Sequence, residues 1–91
     1  MKSTLIPIVK GTAMRVVFKF PIGRHMLPRD AKVVKVAMRG SATMWILHDP
    51  EAPKVLRTFV VHGTGTGVPD NEVFIGTFFD AGFVWHLFEV T

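Results

Sequence analysis

Apolar and polar residues alternate one by one along most of this chain. The pattern runs through Arg15 to Phe20, Lys32 to Arg39, Thr43 to His48, Val55 to His62, Val73 to Phe79 and Phe83 to Val90. A period of two is the signature of a strand, whose successive side chains point to opposite faces of a sheet. All six stretches are rich in Val, Phe, Ile, Thr or Trp, which pack well on a pleated surface. No window of helix length carries a helical period.

The segments between the stretches carry turn chemistry. Arg39-Gly40-Ser41-Ala42 predicts a two-residue type II′ hairpin, with Gly40 supplying the positive φ. Phe79-Asp80-Ala81-Gly82-Phe83 predicts a three-residue hairpin, with Gly82 in the left-handed position. In His48-Asp49-Pro50-Glu51-Ala52-Pro53-Lys54 the prolines end a strand and stiffen a loop. His62-Gly-Thr-Gly-Thr-Gly-Val-Pro-Asp-Asn71 joins the fourth and fifth strands as a long hairpin loop. Residues 32 to 91 thus read as a five-strand antiparallel meander. The strand near Arg15 to Phe20 is added through an irregular segment, Pro21 to Ala31. The expectation is one all-β domain of about six strands, a small barrel or sandwich, with residues 1–12 as an extension and 13–91 as the β core.

Alternation also assigns faces. Val34, Val36 and Met38 share one side of their strand, with Lys35, Ala37 and Arg39 on the other. Thr43, Trp45 and Leu47 oppose Met44, Ile46 and His48. The later strands are apolar on both faces, so the sheet either curls to cover both or meets a second copy of the chain. Trp45 and Trp85 lie on strands, where packing is their first role.

Composition narrows the class. The 91-residue chain has no cysteine, so no disulfide supports its small core. Eleven Lys and Arg against 7 Asp and Glu give a formal charge of +4, which favours anionic partners. These cations are scattered rather than clustered, which argues against nucleic acid as a partner. Met1 to Val9 is too short and too interrupted by Pro7 for a signal sequence, and no apolar run would span a bilayer. An intracellular protein with no membrane role is expected.

Candidate chemistry concentrates at the Gly-Thr loop. It lacks the Lys and the following helix of a phosphate-binding P-loop, and it is not a dinucleotide fingerprint. Glycine-rich backbone can still turn N–H groups toward an anion, with threonine hydroxyls as further donors. Arg57, on the strand before the loop, could add charge and bidentate hydrogen bonds. The expected ligand site is therefore Arg57, His62, Gly63, Thr64, Gly65 and Thr66, with Trp45 or Trp85 stacking on a base. His25, His48, His62 and His86 lack metal-site spacing, so no metal and no cofactor are expected. There is no nucleophile elbow and no carboxylate pair spaced for acid–base work, so an enzyme is not expected.

The order Trp45-x-Leu47-x-Asp49-Pro50-x-x-Pro53, Arg57, His62-Gly63-Thr64-Gly65, Pro69, Ile75-Gly76-Thr77-Phe78 and His86-Leu87-Phe88-Glu89 resembles a family of small uncharacterised proteins encoded by bacteriophages and prophages. The resemblance covers about Met14 to Val90. It implies a phage origin, an all-β domain and no assigned activity. Small phage proteins without catalytic groups often act by binding, so a binding protein of the host cytoplasm is expected. The leading expectation is a homo-oligomer that sequesters a small phosphorylated ligand such as a cyclic-nucleotide immune signal. The alternative is a protein-interaction module, meaning an inhibitor of a host protein or a minor virion component. A metal-dependent phosphodiesterase ranks third.

Overall fold

The structure, a computed structural model, describes residues 14–91. The expectations for Met1 to Val9 and for the extension 1–12 therefore lie outside the described residues. Seven strands and no helix make up the described part. They are β1 (Val16–Pro21), β2 (Arg24–Leu27), β3 (Lys32–Arg39), β4 (Ser41–His48), β5 (Val55–Gly63), β6 (Glu72–Asp80) and β7 (Phe83–Val90).

The strands form two antiparallel sheets, one ordered β1-β4-β3 and the other β2-β5-β7-β6. The sheets face each other without closing, so the fold is a sandwich rather than a barrel. Met44 and Ile46 from β4 meet Leu27, Phe59 and Leu87 from β2, β5 and β7, all at 0–1% exposure. Each such side chain contributes about 1.5–3 kcal/mol through its burial. Phe20, Val33, Val36, Val61 and Ile75 pack around this centre.

All six expected strands are present, and a seventh lies in the segment read as irregular. β2 has only four residues, Arg24-His-Met-Leu27, and pairs with the first half of β5. Gly23, at φ 141°, turns the chain between β1 and β2 and receives the Phe59 amide hydrogen bond on its carbonyl. The segment is too short and too punctuated by Pro21, Gly23 and Pro28 to show a period.

The meander is corrected. β5 pairs with β2 and β7, and β6 pairs with β7, so β5 and β6 run parallel with β7 between them. Residues 64–71 are thus a crossover, not a hairpin. Gly63 pairs with Trp85 and Glu72 with Val90, so the crossover returns along most of β7. Thr64 to Asn71 are all exposed, whereas the opposite face of the sheet carries buried Phe59 and Leu87. The crossover therefore passes over the outer face. Alternation fixes which face a residue takes but not which strand lies beside it, and β7 fills the inner slot because a tight turn ties it to β6.

That turn also differs from expectation. Asp80 pairs with Phe83, leaving Ala81 and Gly82 as a two-residue loop, with φ of 49° and 83°. Positive φ at both central positions is the type I′ geometry, whose twist matches that of the flanking strands. At the other hairpin Gly40 has the expected positive φ of 79°. Its ladder, however, pairs Arg39 with Ser41, which centres the turn on Gly40 itself. The Asp49 turn forms as read: its carboxylate accepts the Glu51 amide at 2.8 Å, and its carbonyl accepts the Ala52 amide at 3.2 Å.

Two register shifts shape the strands, one at Val34 in β3 and one at Ile75 in β6. An extra residue at such a bulge moves everything before it to the opposite face. The two bulges lie beside each other where β3 meets β6, around a depression lined by Val33 to Val36 and Ile75 to Thr77.

Candidate functional site

Arg57 does not reach the Gly-Thr loop. It sits on the inner side of β5, diagonal to Glu89 of β7, whose register partner is Phe59, with most of the strand between it and Gly63. Its Nε and Nη2 donate to the two Glu89 carboxylate oxygens, each at 2.7 Å. Nη1 donates to the carbonyls of Pro28 and Ala31 at 2.8 Å and to that of Arg29 at 3.3 Å. The hydrogen bond to Glu89 raises the Arg57 pKa above its ordinary value against the opposing effect of burial, and the charges of Glu89 and Asp30 add to the rise. The stabilisation linked to the Arg57 proton is therefore fully present below the arginine range and is lost as pH rises through it. Arg57 is a clamp between β5, β7 and the segment after β2, with its guanidinium taken up by Glu89 and those carbonyls.

The two threonines of the loop donate to neighbouring carbonyls, one on β7 and one at the start of the loop. The Thr64 amide and hydroxyl both donate to the Val84 carbonyl at 3.3 Å. The Thr66 amide donates to the Gly63 carbonyl at 3.2 Å, and the Thr66 hydroxyl donates to the same oxygen. Gly65, at φ 91°, closes this turn. With Arg57 turned to Glu89, the structure does not bring Arg57 to the loop residues of the expected ligand site.

Part of the expected set does converge. Gly63, Thr64, Thr66 and Trp85 line an open depression of 530 Å³ with Gly82, Phe83 and Val84. A Cβ on Gly63 would lie 3.2 Å from the Trp85 ring, so glycine there lets the indole lie against the backbone. His62 and His86 are register partners, brought together by the pairing of β5 with β7. They are engaged separately: His62 Nε2 meets Glu72 at 2.6 Å, and His86 lies between the Thr64 and Thr77 hydroxyls at 2.9 and 3.0 Å. Among the described residues no cluster of His, Cys, Asp or Glu is arranged to hold a metal ion.

Trp45 stands apart from all of these, on the outer face of the three-stranded sheet. Its register partners are Lys19 on β1 and Lys35 on β3. The three side chains form one row, with the Lys35 ammonium 5.1 Å from the centre of the Trp45 ring. The next row is Val17, Leu47 and Lys32, and Arg39 lies beside Ser41 at the hairpin end of the same face. Strict alternation would put Lys32 on the other side of β3 from Lys35. The bulge at Val34 brings both to the Trp45 face. β1, β3 and β4 contain no Asp or Glu. All four cations are exposed, and none is paired with a carboxylate among the described residues.

The sequence showed part of this face, since Lys35 and Arg39 share a side and Trp45 sits with Thr43 and Leu47. It did not show that β1 and β3 flank β4, which is what places a lysine on each side of the tryptophan.

These features define a small all-β sandwich with a carboxylate-free, cationic face centred on tryptophan. Residues 14–91 match the family described as "Domain of unknown function (DUF7352)", and the chain belongs to that family. Neither the curated proteins nor the solved structures contain a match.

Proposed function

We propose that this chain is a non-enzymatic binding protein that holds a phosphorylated, base-bearing ligand on the outer face of the three-stranded sheet. The observation that carries the reading is the row Lys19–Trp45–Lys35 on strands without a carboxylate. An indole offers a base a flat apolar surface, and the ammonium groups beside it neutralise phosphate. Lys35 lies over the Trp45 ring, and its flexible stem lets the ammonium swing to a phosphate as a base takes its place. A cyclic nucleotide, as in sequestration of an immune signal by a phage protein, is the smallest ligand of this kind.

Isothermal calorimetry against cyclic mono-, di- and trinucleotides and short oligonucleotides tests the reading, with Trp45 fluorescence as a second signal. Binding that weakens in Lys19→Ala and Lys35→Ala but survives Arg57→Ala is the expected result. Flat titrations across the whole panel would refute it.

A second reading, a protein-interaction module acting on a host protein or within a virion, is favoured by a different observation. The β6–β7 hairpin presents Phe79 and Phe83 at 73% and 64% exposure. Aromatic side chains this open on a turn are typical anchors for a protein partner. A stoichiometric host partner lost in Phe79→Ser but retained in Lys35→Ala would favour it over the first.

A further inference from the structure

The geometry points to a single-stranded polynucleotide as the ligand of the Trp45 face, an inference that rests on the binding reading above and names its ligand class. The cations are strung out rather than gathered. Lys32, Lys35 and Arg39 follow one another along β3, with Lys19 across the sheet from Lys35. At about 3.3 Å per residue the three on β3 extend over roughly 20 Å. Lys19 and Lys35 lie two strand spacings apart, about 10 Å. A cyclic mononucleotide held against Trp45 leaves Lys32 or Arg39 without a phosphate. A strand of several nucleotides running along β3 gives each cation its own.

The remaining residues of the face fit the same ligand. Leu47 and Val17 continue the apolar surface beyond Trp45, and exposed Ser41 supplies a short polar side chain beside Arg39. No array of amide or carboxylate side chains stands ready to read base edges, so contact is through stacking and phosphate and is tolerant of sequence. The face is a sheet surface without a protruding helix or ribbon to enter a groove, which sets duplex apart. The scatter of basic residues along the chain gave no sign of this, because strand pairing, not sequence proximity, assembles them.

Fluorescence anisotropy with labelled oligo-dT and oligo-U of about two, four and eight nucleotides tests the inference, with a duplex and a cyclic dinucleotide as competitors. Affinity should rise with length up to about four nucleotides and exceed that for the cyclic dinucleotide. Four phosphate contacts predict a slope of log K against log salt near about −3. Lys19→Ala and Lys35→Ala should each reduce that slope by about 0.7. Trp45→Ala should weaken binding by about 10- to 100-fold at an unchanged slope, and Trp45→Phe should retain part of the affinity. Circular dichroism confirms that each variant is folded.

Equal affinity for the cyclic dinucleotide and the longest strand, or a salt slope near one, overturns the polynucleotide inference and leaves the small-ligand reading standing. Tighter binding of duplex than of single strand also overturns it. Absence of binding by every probe removes both.

Discussion

At the scale of single residues, Ala81 and His48 hold conformations or surroundings that their chemistry does not favour. Ala81 is the one non-glycine residue with positive φ among the described residues, at 49°. Its Cβ then crowds the following carbonyl, at a cost of about 1–2 kcal/mol. Asparagine tolerates this conformation better, and Asn-Gly is the preferred type I′ pair. Ala81→Asn should therefore raise stability by about 0.5–1 kcal/mol, read as a higher urea midpoint at unchanged m-value. His48 is 5% exposed, and neither ring nitrogen has a partner among the described residues. Its ring packs on Phe18 and Phe20, with centroids 4.9 and 6.1 Å away. An unsatisfied buried polar group costs about 1–3 kcal/mol. His48→Leu, similar in size and without polar atoms, should stabilise the fold by about 1 kcal/mol in the same assay. A loss of stability would show that the ring packing on Phe18 and Phe20 outweighs the unpaired nitrogens.

Between elements, the contacts that decide stability are ones alternation does not encode. Arg57 ties β5 to β7 and to three carbonyls of the segment 28–31. Arg57→Ala leaves Glu89 and those carbonyls without their donor, at a cost of about 2–3 kcal/mol. Chemical denaturation should show that cost, while ligand affinity at the Trp45 face should stay within error of wild type. Two glycines give a sharper contrast. A methyl at Gly63 would press on the Trp85 ring at 3.2 Å, whereas one at Gly76 would rest on Val36 at an ordinary 3.6 Å. Gly63→Ala should cost about 1 kcal/mol and Gly76→Ala about nothing, compared by thermal melting. The strands, their faces and the Asp49 turn were legible because they depend on local periodicity and turn chemistry. The pairing of β5 with β7, the four-residue β2 and both bulges were not, because they depend on which strands meet. The site followed the same division. Gly63, Thr64, Thr66 and Trp85 come together as neighbours along adjacent strands, while Arg57 faced inward to a carboxylate some thirty positions later in the chain.

Across the whole molecule, the two sheets differ in the sign of the charge they carry. The cations Lys19, Lys32, Lys35 and Arg39 occupy one sheet, and the strands of the other carry Glu72, Asp80 and Glu89 against Arg24 and Arg57. Twelve large apolar side chains are exposed among the described residues, from Met14 to Phe83. Several of them lie close to one another, as Phe79 and Phe83 do at the β6–β7 turn, and exposed apolar surface grouped in this way favours association. Sedimentation velocity should accordingly find an assembly heavier than the 10.2 kDa chain at micromolar concentration, and a mass that stays at the single-chain value would show that these side chains are tolerated in water.

The irregularities of the outermost strands bear on the form such an assembly can take. β3 and β6 each bend at a bulge, β2 ends after four residues, and β1 runs into Pro21 two residues after Lys19. A straight, unpaired rim is a template on which further chains can stack into fibrils. Here every rim is kinked, cut short or stopped by proline, so polymerisation through backbone hydrogen bonding is discouraged. A chain with this much open phenylalanine is left to associate through its side chains alone.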